Sequence, residues 1–297
     1  MISDKLKLTV LVPAYQEELG IESVLNELID LKNKNSFIDE IIVIDDGSTD
    51  KTVNIVSNLS EIRLIQHSSN LGYGASLKTG ILNANNNIIA ITDADKTYPN
   101  SKIIDLYNNL INEDLDMIVG ARTGKNVKIP YIRRPAKWFI GKLANWVTGV
   151  SIPDINSGLR IFKKKSFSPF KRIVPDGFSF TTTITLGMLS AGYKVKFNPI
   201  DYYARAGKSK IKPISDTINF IKLIMRIGLY FSPLKIFMPI SLFLLFLSIL
   251  IAFFTMFFMG KLADISVLII AMTGFQFFAL ALLSELINHR MPNQYSK

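Results

Sequence analysis

Two long uncharged runs near the carboxyl end constrain the fold of this chain more than any other feature. Residues 236–259 and 265–283 contain no Asp, Glu, Lys or Arg, and a helix needs roughly 20 residues to cross a hydrocarbon core of about 30 Å. Only the segment Gly260-Lys261-Leu262-Ala263-Asp264 separates the runs, so a hairpin buried in a soluble protein is a poor alternative. The pattern predicts two membrane spans, at about 236–259 and 265–284.

The rest of the chain predicts how the protein is divided. We expect residues 1–212 to form one folded domain, 213–234 an amphipathic juxtamembrane helix, and 235–297 the transmembrane region. The first residues do not resemble a signal peptide. We therefore expect a multi-pass integral membrane protein whose folded domain and carboxyl-terminal tail lie in the cytosol. Because a hairpin of this kind can pack against that of a second copy, the sequence does not decide whether the protein is a homo-oligomer.

The basic residues support the same orientation. The formal net charge is +10, and Lys222, Arg226 and Lys235 lead up to the first predicted span. Positive charge beside a span marks the cytosolic side and attracts anionic lipid. Nucleic-acid binding is the competing explanation of a basic chain, but no nucleic-acid motif accompanies the charge. The chain has no Cys, which excludes disulfides and thiolate chemistry.

The first 234 residues alternate short apolar runs with helical patterns. The runs predicted as strands are 8–12, 40–44, 62–65, 88–92 and 116–120. Alternating βα units of this kind predict an α/β domain with one doubly wound, mainly parallel sheet.

Polar groups follow three of these strands. Asp93 and Asp95 flank Ala94 after the fourth run, Asp46 follows the second, and Tyr15 and Glu17 follow the first. Taken alone, each set is also explained by a strand-end turn. Because parallel strands bring their carboxyl ends to one edge, we expect the three sets to converge. Paired carboxylates there favour Mg²⁺ or Mn²⁺ together with a diphosphate.

Seven motifs occur in an order that resembles a known family. They are Pro13-x-Tyr15-x-Glu17, Asp45-Asp46-Gly47-Ser48-x-Asp50, Asn70-x-Gly72-x-Gly74, Asp93-Ala94-Asp95, Gly120-x-Arg122, Ser157-Gly158-Leu159-Arg160 and Arg205-x-Gly207-x-Ser209-Lys210. The series resembles the inverting family 2 glycosyltransferases, which have a Rossmann-like GT-A fold. Within them it is most similar to the polyisoprenyl-phosphate hexosyltransferases of the dolichyl-phosphate mannose synthase type.

The resemblance implies roles for individual residues. Nucleotide-sugar contacts are implied for Pro13, Tyr15, Glu17, Ile44, Asp46, Asp93, Ala94, Asp95, Arg122, Arg205 and Lys210. Asp93 and Asp95 would bind the metal, and the acceptor phosphate would meet Arg122, Lys142 and Ser157. The catalytic set would be Asp95, Arg122 and Arg205. Guanidinium groups suit phosphate oxygens, and the segment with Arg205 and Lys210 would close over the donor as a lid.

The implied reaction transfers a mannose- or glucose-type hexose from a GDP or UDP sugar to dolichyl or undecaprenyl phosphate, with inversion. Because a phosphate is already anionic at cytosolic pH, it needs no general base. The chain has only two histidines, His67 and His289, and we expect neither at the reaction centre. Relatives that glycosylate hydroxyl groups carry a carboxylate where this chain has Thr183, which favours a phosphate acceptor. A glycan or glycerolipid hydroxyl as acceptor, and a non-catalytic scaffold, remain as alternatives.

Two amphipathic stretches lie beside the motifs. The apolar positions of the first are Ala136, Phe139, Ile140, Leu143 and Val147, and those of the second are Ile214, Ile218, Ile221, Met225 and Gly228. Basic, aromatic-edged helices of this kind lie in the membrane interface. A core helix is the alternative for each.

Overall fold

The computed structural model describes residues 6–124, 134–177, 179–203, 213–261 and 264–290. Its contacts divide the chain into two compact units, the first ending at Ile221 and the second beginning at Lys222. The first unit holds a seven-stranded sheet flanked by helices. The second contains the two long apolar helices.

The sheet has the strand order β3-β2-β1-β4-β6-β5-β7. The strands are β1 Leu8–Ala14, β2 Ile38–Asp45, β3 Arg63–Gln66, β4 Ile88–Ile91, β5 Met117–Ala121, β6 Arg160–Lys163 and β7 Val195–Pro199. All pairings are parallel except those of β6, which runs antiparallel between β4 and β5. The carboxyl ends of β1, β2 and β4 therefore share one edge.

The helices follow the strands in the order that the sequence predicts. They are α1 Ile21–Lys34, α2 Thr52–Ser57, α3 Tyr73–Asn83, α4 Lys102–Asn112, α5 Arg134–Thr148, α6 Lys164–Phe167, α7 Phe180–Ser190, α8 Pro213–Phe231, α9 Pro233–Met259 and α10 Asp264–Arg290, with a 3₁₀ turn at Ser168–Arg172. Alternating apolar strands and one-sided helices bury a common core on the sheet.

The five predicted strands are confirmed, each within a few residues of its predicted bounds. Strands β6 and β7 were not predicted. The sequence of β6 is Arg-Ile-Phe-Lys, and that of β7 is Val-Lys-Phe-Asn-Pro. Both are short and rich in polar residues, so neither produces the apolar run that marks a central strand.

Helix α5 uses its apolar stripe inside the first unit. Ile140 and Val147 of this stripe are buried, together with the neighbouring Ala144, and Leu143 is half-buried, which is what the alternative of a core helix predicts for this face. Lys142 and Trp146 lie on the exposed side of the same helix. Any contact of α5 with lipid would therefore use this basic and aromatic side.

The second unit is a helical hairpin. Helices α9 and α10 are long and apolar enough to cross a membrane. Ser241, Ser248 and Thr255 recur every seventh residue on the buried side of α9, and the Ser241 hydroxyl donates to the Gly274 carbonyl (2.9 Å). Small and hydroxyl-bearing residues let helices approach closely in lipid. Large side chains such as Phe253 remain exposed.

Candidate active site

The loops after β1 and β2 are joined by hydrogen bonds. The Gln16 amide donates to Ser48 Oγ (3.0 Å), and Gln16 Nε2 donates to Thr49 Oγ1 (2.7 Å). The Glu17 amide donates to Thr52 Oγ1 (3.0 Å). The polar groups that follow β1, Tyr15 and Glu17, therefore lie close to those that follow β2. Tyr15 and Glu17 are half-buried beside this junction.

Gln16, in the loop after β1, and Lys96, in the turn after β4, have left-handed backbone. The φ angle is 57° at Gln16 and 63° at Lys96. Non-glycine residues rarely adopt this conformation, and Asn tolerates it better than longer side chains. Glycine at either position would relieve this strain.

The carboxylate of Asp46 holds the glycine loop, residues 70–74. Its Oδ1 accepts the Leu71 amide (3.0 Å), and its Oδ2 accepts the Gly72 amide (2.8 Å). His67 Nδ1 lies 2.7 Å from Oδ1. Burial alone would raise the pKa of Asp46, but the hydrogen bonds from His67 and the two amides hold this pKa below its usual value. Asp46 is therefore an anion fixed to the loop.

The glycine loop also packs against the segment 175–177. The Ala75 amide donates to the Asp176 carbonyl (2.9 Å), and Lys78 pairs with the Asp176 carboxylate (2.8 Å). A Cβ on Gly74 would overlap the Pro175 carbonyl oxygen. Glycine is needed here because two backbone segments come into direct contact.

Asp93 lies between two neighbours. The Tyr73 hydroxyl donates to Asp93 Oδ1 (3.0 Å). A Cβ on Gly158 would stand only 2.7 Å from Asp93 Oδ2, so the carboxylate rests against backbone. Burial and the charge of Asp93 raise the pKa of Tyr73 well above its usual value. Tyr73 therefore remains a hydrogen-bond donor at every physiological pH.

Asp95 is the more deeply buried carboxylate of the pair, with 6% of its surface exposed. Its Oδ1 accepts the Thr97 hydroxyl (2.6 Å) and the Thr97 amide (3.1 Å). A Cβ on Gly20 would stand 2.8 Å from the Ala94 carbonyl oxygen. The turn after β4 is thus held from both sides.

Asp93 and Asp95 together fit a hard divalent cation. Both offer carboxylate oxygens at the end of β4, and the Gly158 backbone lies against one of them. In the described ranges, no group of three or more His, Cys, Asp or Glu side chains could hold a metal. Mg²⁺ is commonly held by one or two carboxylates, with substrate phosphates and water completing its shell.

Arg122 is held in a bidentate ion pair. Its Nε and Nη2 donate to the two oxygens of Asp154 (2.7 and 2.9 Å), and its guanidinium lies 5.1 Å from the centre of the Tyr202 ring. Burial would raise the pKa of Asp154, but the bonds from Arg122 lower it overall. The pair likewise raises the pKa of Arg122 against the effect of burial. Two of the five guanidinium N–H groups make this pair.

Arg160 anchors the loop that precedes β6. It is fully buried, and it donates to the carbonyls of Ser157 and Thr181 and to the Thr185 hydroxyl. Its Nε has no hydrogen-bond partner within the described part of the chain. Burial lowers the pKa of Arg160 to about 10, which leaves it cationic at neutral pH. This cation ties the loop to helix α7.

The remaining predicted residues lie in different surroundings. Pro13, Ile44 and Ala94 are buried, so any ligand contact would come from their backbone. Ser157 is fully buried, and its hydroxyl donates to the Gly120 carbonyl. Lys142 is exposed on α5. Arg205 and Lys210 lie outside the described residues.

Five residues that contact residues of the seven motifs had no predicted role. They are His67, Tyr73, Tyr98, Arg160 and Tyr202. The Gly158 amide donates to the Tyr98 hydroxyl (2.7 Å), and the rings of Tyr98 and Tyr202 meet edge to face, with centroids 5.2 Å apart. Sequence reasoning could have identified Arg160, because it belongs to the Ser-Gly-Leu-Arg motif. The tyrosines and His67 act through contacts that no local pattern reveals.

Comparison with known proteins identifies related chains. The dolichyl-phosphate hexose transferase of Haloferax volcanii is 27% identical over 223 residues, covering 75% of this chain and 94% of that protein. The dolichyl-phosphate beta-glucosyltransferase of Dictyostelium discoideum is 28% identical over 254 residues, covering 75% of this chain and 74% of that protein.

A solved structure shares the fold of the first unit. It is glucosyl-3-phosphoglycerate synthase from Mycobacterium tuberculosis, crystallised with Mn²⁺, UDP and phosphoglyceric acid. The TM-score is 0.61 at 18% identity, over 75% of this chain and 78% of that one. This likeness shows the GT-A fold.

Two family models match the chain. The GtrB C-terminal hairpin model matches residues 232–289, which agrees with a membrane anchor built from α9 and α10. The model of Glycosyl transferase family 2 matches residues 9–170, more than half of the chain. The protein belongs to glycosyl transferase family 2 and is a glycosyltransferase with a membrane hairpin.

Proposed function

We propose that this enzyme transfers a hexose from a nucleotide diphosphate sugar to a polyisoprenyl phosphate. One observation carries the proposal: the same chain contains Asp93 and Asp95 at the edge of the sheet, a fixed Arg122 and an apolar helical hairpin. The edge fits a metal-bound diphosphate, Arg122 suits a phosphate, and the hairpin keeps the enzyme where a lipid acceptor resides. The curated relatives described above carry dolichyl phosphate in their names, which supports this acceptor class.

The nucleoside would bind near the junction of the first two loops. Tyr15 can pack on a base, while Asp46 contributes through the glycine loop that it fixes. A carboxylate has about four acceptor positions, and three hydrogen-bond contacts to Asp46 come from the described chain. The fourth position suits one N–H of a base. The proposal includes both GDP sugars and UDP sugars as donors.

The metal would be Mg²⁺ or Mn²⁺, held by Asp93 and Asp95. When bound, it would neutralise charge on the departing diphosphate. Arg205 and Lys210 are proposed to contact the same phosphates. The protein's own part is to hold the two carboxylates in place through Tyr73 and Thr97.

The acceptor phosphate is proposed to meet Arg122. The pair with Asp154 fixes the guanidinium, and its other N–H groups suit phosphate oxygens. Ser157 joins this contact only if its hydroxyl exchanges the Gly120 carbonyl for phosphate. Lys142 belongs to the proposal as an exposed cation near the lipid.

A general base is unnecessary for this acceptor. Thr183 takes the place of a carboxylate found in relatives that use hydroxyl acceptors, and its amide and its hydroxyl both donate to the Ser179 carbonyl (2.9 Å each). It is 1% exposed. An anionic phosphate can attack the anomeric carbon directly, which inverts its configuration and releases nucleoside diphosphate.

A donor and acceptor screen tests the function. Membranes containing the protein are incubated with labelled GDP-mannose, UDP-glucose and related sugars, with either undecaprenyl phosphate or the matched undecaprenol added. We expect a lipid-linked sugar only with the phosphate. Transfer to undecaprenol would refute the acceptor assignment. Transfer to a membrane glycerolipid, with none to the added phosphate, would refute it as well. An Asp95→Ala sample controls for enzymes native to the membranes.

The orientation and boundaries are also proposals. We place the domain of residues 1–212 and the carboxyl-terminal tail in the cytosol, with 213–234 at the membrane surface and 235–297 forming the anchor. Because the chain has no Cys, single substitutions report accessibility directly. Lys261→Cys should react with an impermeant thiol reagent added outside intact cells, whereas Lys78→Cys should react only after lysis. The reverse labelling pattern would refute the proposed orientation, because it would place the folded domain outside the cytosol.

A further inference from the structure

Tyr73 connects the glycine loop to the carboxylate pair. It is the first residue of α3, and its hydroxyl donates to Asp93 Oδ1 (3.0 Å). The backbone of Gly158 lies against the same carboxylate. The orientation of Asp93 is therefore limited by a donor on one side and by backbone on another.

The backbone on both sides of Tyr73 is held in place. Before it, the amides of Leu71 and Gly72 donate to Asp46. After it, the Ala75 amide donates to the Asp176 carbonyl. Tyr73 is thus a rigid arm whose position depends on Asp46.

We propose that Tyr73 is a positioning residue, which orients the Asp93 carboxylate toward a divalent cation and the diphosphate it carries. Tyr73 also links two carboxylates of the site, because the amides before it contact Asp46 and its hydroxyl contacts Asp93. The inference rests on the proposed function in one respect only, namely that Asp93 helps to bind the metal.

The chemistry of outer hydrogen-bond partners sets the expected size of the effect. Groups that orient a metal-binding side chain typically change metal affinity or activity by about 10- to 100-fold when they are removed. Tyr73→Phe keeps the ring and deletes only the hydroxyl. We therefore expect the dissociation constant for Mn²⁺ to rise by about tenfold or more.

A matched substitution is available in the same domain. The Tyr107 hydroxyl donates to the Leu6 carbonyl (2.5 Å), and Tyr107 is 1% exposed. Tyr107→Phe removes a buried tyrosine hydroxyl that contacts no predicted site residue. It measures what a lost buried hydroxyl does to folding alone.

The experiment is a Mn²⁺ titration of the full-length protein in detergent, followed by the electron paramagnetic resonance signal of free Mn²⁺. Wild type, Tyr73→Phe and Tyr107→Phe are titrated with UDP present and, in parallel, with GDP present. We expect weaker Mn²⁺ binding only in Tyr73→Phe, with thermal midpoints that show all three proteins folded. Equal Mn²⁺ affinity in the three proteins would overturn the inference.

The outcome is separable from that of the proposed function. If wild type binds Mn²⁺ with a nucleotide but transfers no hexose to polyprenyl phosphate, the acceptor assignment fails, and weaker binding in Tyr73→Phe still supports the inference. If wild type transfers hexose and Tyr73→Phe binds Mn²⁺ normally, the function stands and the inference fails. Absence of Mn²⁺ binding by wild type with either nucleotide also overturns it.

Discussion

The contact between Gly158 and Asp93 predicts that a single methyl group should impair the enzyme. In Gly158→Ala, the new Cβ would stand 2.7 Å from Asp93 Oδ2, 2.9 Å from Oδ1 and 3.0 Å from Cγ. Because ordinary carbon–oxygen contacts begin near about 3.3 Å, the carboxylate must move by roughly 0.5 Å. The clashing atoms end a side chain that can rotate, so the fold should tolerate the change.

The expected cost falls on activity. A misplacement of about 1 Å at a reacting site can cost roughly 100-fold in rate, so we expect kcat/KM to fall between about tenfold and 100-fold. Initial rates with labelled donor and undecaprenyl phosphate measure it, and thermal unfolding checks the fold.

Gly141→Ala provides the control for this substitution. A Cβ at this position in α5 has no heavy atom within 4 Å, and Ala is favoured over Gly in helices by up to about 1 kcal/mol. Its activity should match wild type. If Gly158→Ala is as active as Gly141→Ala across a range of Mn²⁺ concentrations, the reasoning about Asp93 is refuted.

Four further substitutions test other contacts. Asp95→Ala should abolish transfer while the thermal midpoint shows a folded protein, and full activity in buffer containing Mg²⁺ would exclude its metal role. Arg122→Lys should lower kcat/KM at least about tenfold in the same rate assay, because an ammonium cannot form the bidentate pair. Lys96→Gly should raise the free energy of unfolding in urea by about 0.5–1 kcal/mol, since glycine relieves the left-handed backbone. The pKa of Asp154 lies below its unfolded value of 3.8, so its stabilisation is complete above about pH 5 and is lost as the pH falls through the folded pKa. Thermal midpoints measured against pH should therefore fall less steeply on acidification in Asp154→Asn than in wild type.

The parts of the fold that depend on local pattern were predictable. Apolar runs identified β1 to β5, and uncharged length identified the hairpin. Strand β6 was not predicted, because Arg160 is buried there by partners that lie far along the chain. A charged residue normally signals a surface, so sequence alone argued against this strand.

The candidate site was predictable to a similar degree. Carboxylates at strand ends and motif order indicated Asp46, Asp93 and Asp95. The residues that contact them were not indicated, because a tyrosine hydroxyl in a glycine loop has many possible partners. Tyr73 and Tyr98 acquire their contacts only when separate loops meet at the edge of the sheet.

The hydrogen bonds that the glycine loop donates to Asp46 have a consequence for hydrogen exchange. Leu71 has 55% of its surface exposed, and an exposed loop normally exchanges its amide hydrogens quickly. The amides of Leu71 and Gly72 nevertheless donate to a buried carboxylate. They should exchange slowly and lose protection together, so that one exposed loop reports when the proposed nucleotide end of the site opens.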